Sequence, residues 1–535
     1  MKISRRGLLA TSLGASQLYL LSRFNLLGTS SARAAVDPDR PTKLLTIMVP
    51  GGIHHEFLWS IFYDGSLSRF MPPPERRTFY DLSMVQNLDR SGEADADAPI
   101  RRIRAPVTWN WESPSDNEWS SNRHPAHGGP YDPKGYAWAA PEYKLYENVA
   151  VIHGVDQGTA AHDSGKIASM CGLAGGNFQI AGIPAVVANH FFTRFADDRP
   201  IPSVSIRGEP RAPALPPIAS TMSSTPIASV RDIEFMLSDR RPNWDGLRAR
   251  REINGLAFDG SALGQPVPAT AADELLLQAT QRLGGRYSSG TDAMLEQLYD
   301  SYIGFSRTIA RDIVDLVAST PGIEHLPEHV SWMQSESRFG WRIGNADAVA
   351  SDATWLNDFD FILKLLKSDL TTAVSFRCEG LSQFNFDTHT ASPFVPHMQN
   401  LRGVMDTIAR LCIEMKLTPS PTASRPDRTL LDDTLIYITS DFGRSFPISG
   451  GSDHNPMHSA VLISGAIQGN RMIGGYRDSA LGVPVELLGE EGHREMRPVA
   501  ARDVASTIYA CMGMQAGSDY FIPGQYGVVD GIALT

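Results

Sequence analysis

Aspartate and histidine residues recur together beside short apolar runs in the C-terminal half of the sequence. Asp387 and His389 are separated by one residue, so an extended segment places both side chains on one side of the chain. Four further residues lie next to two later apolar runs: Asp441, Asp453, His454 and His458. Singly, Asp453 is typical of a turn and His458 of a strand edge, but together these residues indicate a functional cluster.

The mixture of carboxylates and imidazoles indicates a divalent metal site. Zinc, manganese and iron accept both ligand types, whereas calcium prefers mostly oxygen ligands. We therefore expect zinc or manganese, with calcium and iron as alternatives.

A second candidate cluster comprises His162, Asp163 and Ser164, which precede a predicted short helix over residues 167–173. One interpretation is structural, because Asp and Ser are common helix N-caps. The other is functional, because a hydroxyl at a helix N-terminus lies in a positive field that stabilises a nucleophile or an oxyanion. On the functional interpretation, Ser164 is the candidate nucleophile.

The elements that must position these residues form an α/β pattern. Five short apolar runs predict strands buried on both faces, at 44–49, 149–153, 372–376, 434–439 and 460–463. Amphipathic spacing predicts helices over 294–317 and 401–415. The alternation predicts a three-layer α/β sandwich with a mostly parallel central sheet, in which ligands bind beyond the C-terminal ends of the strands.

Composition narrows the function classes. The 535 residues are 42% hydrophobic and 20% charged, as in a folded globular protein. A net charge of -11 argues against nucleic-acid partners. The four cysteines lack the C-x-x-C spacing of iron–sulfur, c-type haem or zinc-ribbon sites.

Residues 1–34 read as an export signal. This segment has Arg5 and Arg6 before an apolar stretch, contains no acid, and ends in Ala-Arg-Ala before Ala35. Its start resembles the twin-arginine motif, which predicts the twin-arginine translocase as a transient partner and a periplasmic or secreted location. An ordinary amphipathic helix is the alternative. No later run of about 20 apolar residues predicts a stable membrane span.

The remaining chain, 35–535, is predicted to be one domain with insertions. Residues at about 90–146 and 207–290 are rich in Pro, Gly and polar residues, which is typical of insertions rather than core.

The order of these motifs resembles a known family. A strand with a Gly-Gly turn is followed by a Ser-containing helix start, then D-x-H, S-D-F-G-R, a Gly-Gly loop and D-H-x-x-x-H. This order is similar to that of a twin-arginine-exported bacterial family, domain of unknown function 1501, a branch of the alkaline phosphatase and sulfatase-like superfamily. The resemblance implies an alkaline-phosphatase-like fold with one or two metals.

The resemblance also implies roles for individual residues. Asp387 and His389 are similar to one metal pair, Asp441 to the carboxylate of an Asp-His ligand pair, and His454 or His458 to the late histidine.

It further implies that Asp163 and Ser164 match the Asp-Ser of alkaline phosphatases and that Arg444 holds a substrate oxyanion.

The sequence departs from this superfamily at two places. The turn after the first strand lacks the expected metal-binding Asp, although His54, His55 and Glu56 follow it and are candidates, with His162 and Asp163, for additional metal or substrate contacts. Phe442 stands where a second histidine would follow Asp441. The expected function is therefore a metal-dependent hydrolase of small anionic esters, phosphate before sulfate. The alternative is a catalytically degenerate periplasmic binding or assembly protein on the same fold.

The signal prediction is testable by export. In a bacterial host, we expect the exported protein to begin at Ala35 and the double variant Arg5→Lys, Arg6→Lys to remain in the cytoplasm, because the translocase reads the paired arginines. Intact mass of the periplasmic fraction measures both effects, and Arg23→Lys is the matched control. Periplasmic protein that still begins at Met1 would contradict the cleavage site.

Overall fold

The computed structural model describes the chain in segments. These are residues 37–53, 85–87, 100–106, 138, 143–173, 181–195, 199, 201–207, 225–226, 315–323, 358–378, 386–387, 389, 394–422, 424–444, 453–475, 482–489 and 493–534. The signal segment 1–34, most of the two predicted insertions and most of the predicted helix 294–317 lie outside the described residues.

The described residues form sixteen strands and six α-helices, which are numbered here in chain order, together with two further short helical segments. The strands are β1 Lys43–Val49, β2 Val85–Asn87, β3 Ile100–Arg101, β4 Arg104–Pro106, β5 Val149–Asp156, β6 Ser203–Ile206, β7 Thr225–Pro226, β8 Ala373–Arg377, β9 Thr434–Ser440, β10 Gly443–Arg444, β11 His454–Asn455, β12 Met457–Ile463, β13 Arg471–Gly474, β14 Val485–Leu488, β15 Arg494–Arg497 and β16 Val528–Val529. The helices are α1 His162–Cys171, α2 Ile183–Phe195, α3 358–367, α4 Phe394–Leu417, α5 Leu430–Asp433 and α6 Ala501–Cys511. A further helical stretch covers 315–319, and Leu145–Asn148 form a 3-10 turn.

A nine-stranded sheet forms the centre, in the order β3-β13-β5-β12-β9-β1-β8-β6-β7. From β9 to β7 all neighbours are parallel, and β5 is parallel to β13. β12 is antiparallel to both β5 and β9, and β3 is antiparallel to β13. The predicted α/β class with a mostly parallel sheet is confirmed, and all five predicted strands are present in β1, β5, β8, β9 and β12.

The central strands are buried because their side chains are apolar on both faces. Every residue of β1, β9 and β12 is buried. α2 packs apolar residues such as Val187 and Phe191 into the same core as Leu44 of β1. Each fully buried Leu or Phe side chain contributes about 1.5–3 kcal/mol to folding, so this layer of contacts fixes the sheet.

Two predicted helices are found with different limits. The 401–415 helix lies within α4, and its apolar residues from Val404 to Met415 are buried as the spacing predicted. The helix predicted over 167–173 instead begins at His162, with Ala161 as its N-cap and no side-chain capping bond. The interpretation of Asp163 or Ser164 as an N-cap was therefore wrong, because both lie inside the first turn.

The chain divides into two compact units, Met1–Pro226 with Gly322–Thr535, and Ile227–Pro321. The single-domain organisation stays a prediction, since most of the second unit lies outside the described residues. None of the described helices combines the length and apolarity needed to cross a bilayer. All four cysteines are buried free thiols.

Strand direction decides where loop residues meet. β1, β8 and β9 are parallel, and β5 has the same direction because antiparallel β12 lies between β5 and β9. The C-terminal ends of these four strands and the start of β12 therefore share one edge of the sheet.

A buried network of ion pairs lies at the opposite edge of the sheet, where β1 and β9 begin. Lys43 of β1 contacts Asp433 at 2.7 Å and Asp369 at 2.7 Å, and Arg425 donates to Asp433 at 2.6 Å. Arg199 donates to Asp369 at 2.9 Å. Burial disfavours the charged carboxylate, but the charges of Lys43 and Arg199 outweigh it and hold the pKa of Asp433 well below its usual range.

Removing one member of this network should destabilise the fold. We expect Asp433→Asn to lower the free energy of unfolding by about 3–5 kcal/mol near pH 7, because it leaves buried cations uncompensated. Since the folded-state pKa of Asp433 is depressed, its contribution exists above the ordinary aspartate pKa of about 4 and is lost as the pH falls below that value. Urea unfolding against pH measures this, with exposed Asp427→Asn as control. Equal stability of the two variants near pH 7 would contradict the prediction.

Candidate metal centre

Four side chains meet at the edge that β1, β5, β8 and β9 share. His162 lies in the first turn of α1, after β5. Asp387 and His389 follow β8, and His454 lies on β11, just before β12. Segments far apart in sequence thus deliver three imidazoles and one carboxylate to one place.

The donor atoms are close enough to share a cation. His162 Nε2 lies 3.4 Å from Asp387 Oδ2, and His454 Nε2 lies 3.4 Å from Asp387 Oδ1. One ligand atom from each of these residues falls within 4.8 Å of the other two. Nitrogen with carboxylate oxygen is a donor set that suits zinc or manganese and disfavours calcium.

His389 and Asp453 extend this group on its exposed side. His389 Nε2 lies 3.0 Å from His454 Nε2 and 2.9 Å from Asp387 Oδ1. His389, Asp453 and His454 also present ligand atoms within 4.8 Å of one another. Of the residues assigned to the metal from sequence, the structure therefore brings together Asp387, His389, Asp453 and His454.

His454 is oriented for binding through Nε2. Its Nδ1 lies 2.8 Å from the carbonyl oxygen of Ala160, and because a carbonyl only accepts, Nδ1 carries the proton. In the neutral ring, Nε2 then accepts the hydrogen bond from His389 Nε2, and a cation in place of that hydrogen would meet the same lone pair. Phe442 stacks on this imidazole at 4.0 Å between ring centroids. Phe442 thus restricts the orientation of the His454 ring.

Asp387 is kept ionised by a buried arginine. Burial of the carboxyl raises its pKa, but the hydrogen bond and charge of Arg444, with smaller effects from His162 and His389, outweigh this and lower the pKa of Asp387. An ionised carboxylate is the form that a cation binds.

The position of Arg444 does not suit the oxyanion role implied by resemblance. Its side chain is fully buried, and its donors contact Asp387 and, at 2.7 Å, the carbonyl oxygen of Gly51. Because none of the Arg444 side chain is exposed, its guanidinium is not accessible to a substrate in solvent. The structure instead gives Arg444 the role of fixing Asp387.

The turn after β1 binds the carboxylate of Asp441. The backbone N–H groups of Gly51 and Gly52 donate to Asp441 Oδ1 at 2.9 and 3.0 Å, and the Asp441 side chain is fully buried. Both glycines have positive φ, 105° and 90°, so the two N–H groups point to one carboxylate. The described residues of this turn therefore supply hydrogen-bond donors to Asp441.

His162 completes this contact, with Nδ1 2.6 Å from Asp441 Oδ2. This hydrogen bond is the largest cause that raises the pKa of His162, and it outweighs the opposing effect of burial. The imidazole is thus held by a carboxylate on one nitrogen while the other faces Asp387.

Other residues assigned from sequence lie apart from this group. His458 is buried within β12, where burial lowers its pKa to about 3, and it belongs to neither ligand group. Asp163 has a side chain that is 99% exposed. His54, His55 and Glu56 lie outside the described residues.

Ser164 is half-buried in the first turn of α1. Two residues correspond to a rotation of roughly 200° around a helix, so Ser164 and His162 leave α1 on different sides.

Comparisons with protein-family models, with curated proteins and with solved structures find no match for this chain. The family resemblance stays a prediction, and the chemistry of the site rests on its geometry.

Gly51 offers a direct test of this geometry. A Cβ at Gly51 would lie 2.4 Å from the backbone nitrogen of Asp387, whereas one at Gly517, also at positive φ, would meet nothing within 4 Å. Both alanine variants bear the cost of a positive φ, but Gly51→Ala should lose roughly 1–3 kcal/mol more because the backbone must move apart. Thermal and urea unfolding of the two variants measure the difference. Equal losses would show that the Gly51 turn and Asp387 are not in close contact.

Proposed function

We propose that this protein is an exported, metal-dependent hydrolase of anionic esters, with phosphate esters preferred to sulfate esters. The observation that carries the proposal is the convergence of His162, Asp387 and His454 at the C-terminal edge of the sheet, with donor atoms within 4.8 Å. Sites in α/β sheets of this kind form at that edge.

The three residues would hold the cation, with His389 and Asp453 beside it. A divalent metal held there would polarise a bound ester and would lower the pKa of a hydroxyl or water. The chain contributes the fixed directions of its ligands: Arg444 keeps Asp387 charged and in place, and Phe442 and Ala160 orient His454.

Ser164 is the nucleophile in this proposal, and water is the alternative. Support for Ser164 comes from its place in the first turn of α1, where unpaired backbone N–H groups stabilise an oxyanion. Its angular separation from His162 favours water. The sulfatase sequence Cys-x-Pro-x-Arg is absent from the chain, which is why phosphate is preferred to sulfate.

A second candidate is a periplasmic binding or assembly protein that keeps the metal but not the catalysis. The specific observation in its favour is the enclosure of Arg444, which removes from solvent the cation assigned to the substrate. In this case the metal stabilises the fold by binding only the native state.

Metal content tests the shared part of both candidates. We expect about one or two equivalents of zinc or manganese per chain in protein purified after native export without chelator, read by elemental mass spectrometry. Asp387→Asn and His454→Ala should each lose more affinity than the roughly 10–100-fold caused by removing an outer-shell partner. Asp163→Asn is the matched control, because this carboxylate is exposed on the same helix as His162. Folded protein without metal would overturn the proposal.

Activity separates the two candidates. The metal-loaded protein should hydrolyse a phosphomonoester, a phosphodiester or a sulfate ester in a chromogenic screen, and Ser164→Ala should abolish turnover if Ser164 attacks but preserve it if water does. Metal binding without turnover of any ester would favour the binding or assembly protein.

A further inference from the structure

We infer that Asp441 acts as a positioning residue, not as a metal ligand: it holds the proton of His162 on Nδ1 and so directs the Nε2 lone pair of His162 into the metal centre. This inference rests on the proposed metal site. It differs from the family resemblance, which assigns the ligand role to Asp441.

The first step is that both oxygens of the Asp441 carboxylate already accept hydrogen bonds. Oδ1 accepts from the N–H groups of Gly51 and Gly52, and Oδ2 accepts from His162 Nδ1. The Ser440 hydroxyl lies 3.0 Å from Oδ1. The N–H group of Gly51 also lies 3.1 Å from Oδ2, so both oxygens of Asp441 have at least two hydrogen-bond neighbours, and Asp441 belongs to neither group of possible metal ligands.

The second step concerns access. The side chain of Asp441 is fully buried, whereas those of His162 and Asp387 are 36% and 32% exposed. His162 and Asp387 are therefore accessible to a cation from solvent, whereas Asp441 is not.

The third step is the proton on His162. An ionised carboxylate only accepts hydrogen bonds, so the 2.6 Å contact requires the proton on Nδ1. The neutral ring then carries its lone pair on Nε2, which lies 3.4 Å from Asp387 Oδ2. This arrangement of carboxylate, histidine and cation fixes both the tautomer and the ring direction.

The same arrangement recurs at His454, where the Ala160 carbonyl takes the place of the carboxylate. Both imidazoles are thus held through Nδ1 and present Nε2 toward Asp387. The common direction of the two rings is independent support for the role of Asp441.

The tautomer of His162 can be measured without any metal. We would label the full exported chain with ¹⁵N-histidine, remove metal with chelator, and record long-range ¹H–¹⁵N correlations, with His162 assigned by loss of its signal in His162→Gln. Because the pKa of His162 is raised, the spectra are recorded at alkaline pH, where the ring is neutral, and we expect its proton on Nδ1 in the wild type. In Asp441→Asn the amide NH₂ group faces the ring and donates to Nδ1, so the proton should move to Nε2.

Asp519→Asn is the matched control. Asp519 contacts His190 Nδ1 at 3.1 Å in a second His–Asp pair outside the metal centre. This variant should leave the signal of His162 unchanged. A neutral wild-type His162 ring with its proton on Nε2, or an unchanged tautomer in folded Asp441→Asn, would overturn the inference. The wild-type spectrum tests it even where the variant does not fold.

Zinc affinity supplies a second, independent readout. Asp441→Asn should weaken zinc binding about 10–100-fold, and combining it with His162→Gln should cause little further loss, because Asp441 acts through His162. Losses that add in the double variant would show that Asp441 is itself a ligand. A wild-type chain that binds no metal would reject the proposed function, while the tautomer measured without metal would still decide the role of Asp441.

Discussion

The buried carboxylate of Asp441 links the loops that follow β1, β5 and β9. It receives hydrogen bonds from the turn after β1 and from the first turn of α1, and Asp441 itself directly follows β9. A carboxylate without partners in this position would cost several kcal/mol, so the Gly51–Gly52 turn and His162 are held to it. The direction of His162 within the candidate metal centre depends on this junction.

The two edges of the sheet use charge in opposite ways. At the N-terminal edge, Asp433 is sealed among cations and hydroxyls, and the network serves the fold. At the C-terminal edge, the side chains of Asp387 and His389 are 32% and 47% exposed. Asp387 also contacts the buried Arg444. A carboxylate that is fixed by a buried arginine and is still partly exposed to solvent is typical of a binding site.

Periodicity predicted the strands and α4 because their apolar residues are buried on both faces or along one stripe. The sequence also identified Asp387, His389, Asp453 and His454, since Asp and His pairs beside strand ends carry a local signal. It could not reveal the contacts of Asp441 or Arg444, because both residues bond to Gly51, which lies 390 residues from Asp441 in the sequence. In the sequence, the Gly-Gly turn is notable for lacking an expected aspartate. In the structure, its N–H groups donate hydrogen bonds to Asp441. The early start of α1 was missed because Ala161, a residue without capping chemistry, precedes it.

The long sequence separations within the centre have a consequence for biogenesis. His162 and Asp441 are 279 residues apart, and Asp387 and His454 are 67 apart, so the complete ligand set exists only after the non-local strand pairings have formed. A chain exported in the folded state would carry its ion from the cytoplasm. The relative abundance of metals in that compartment, rather than in the periplasm, would then select the ion, since intrinsic affinities alone would favour copper.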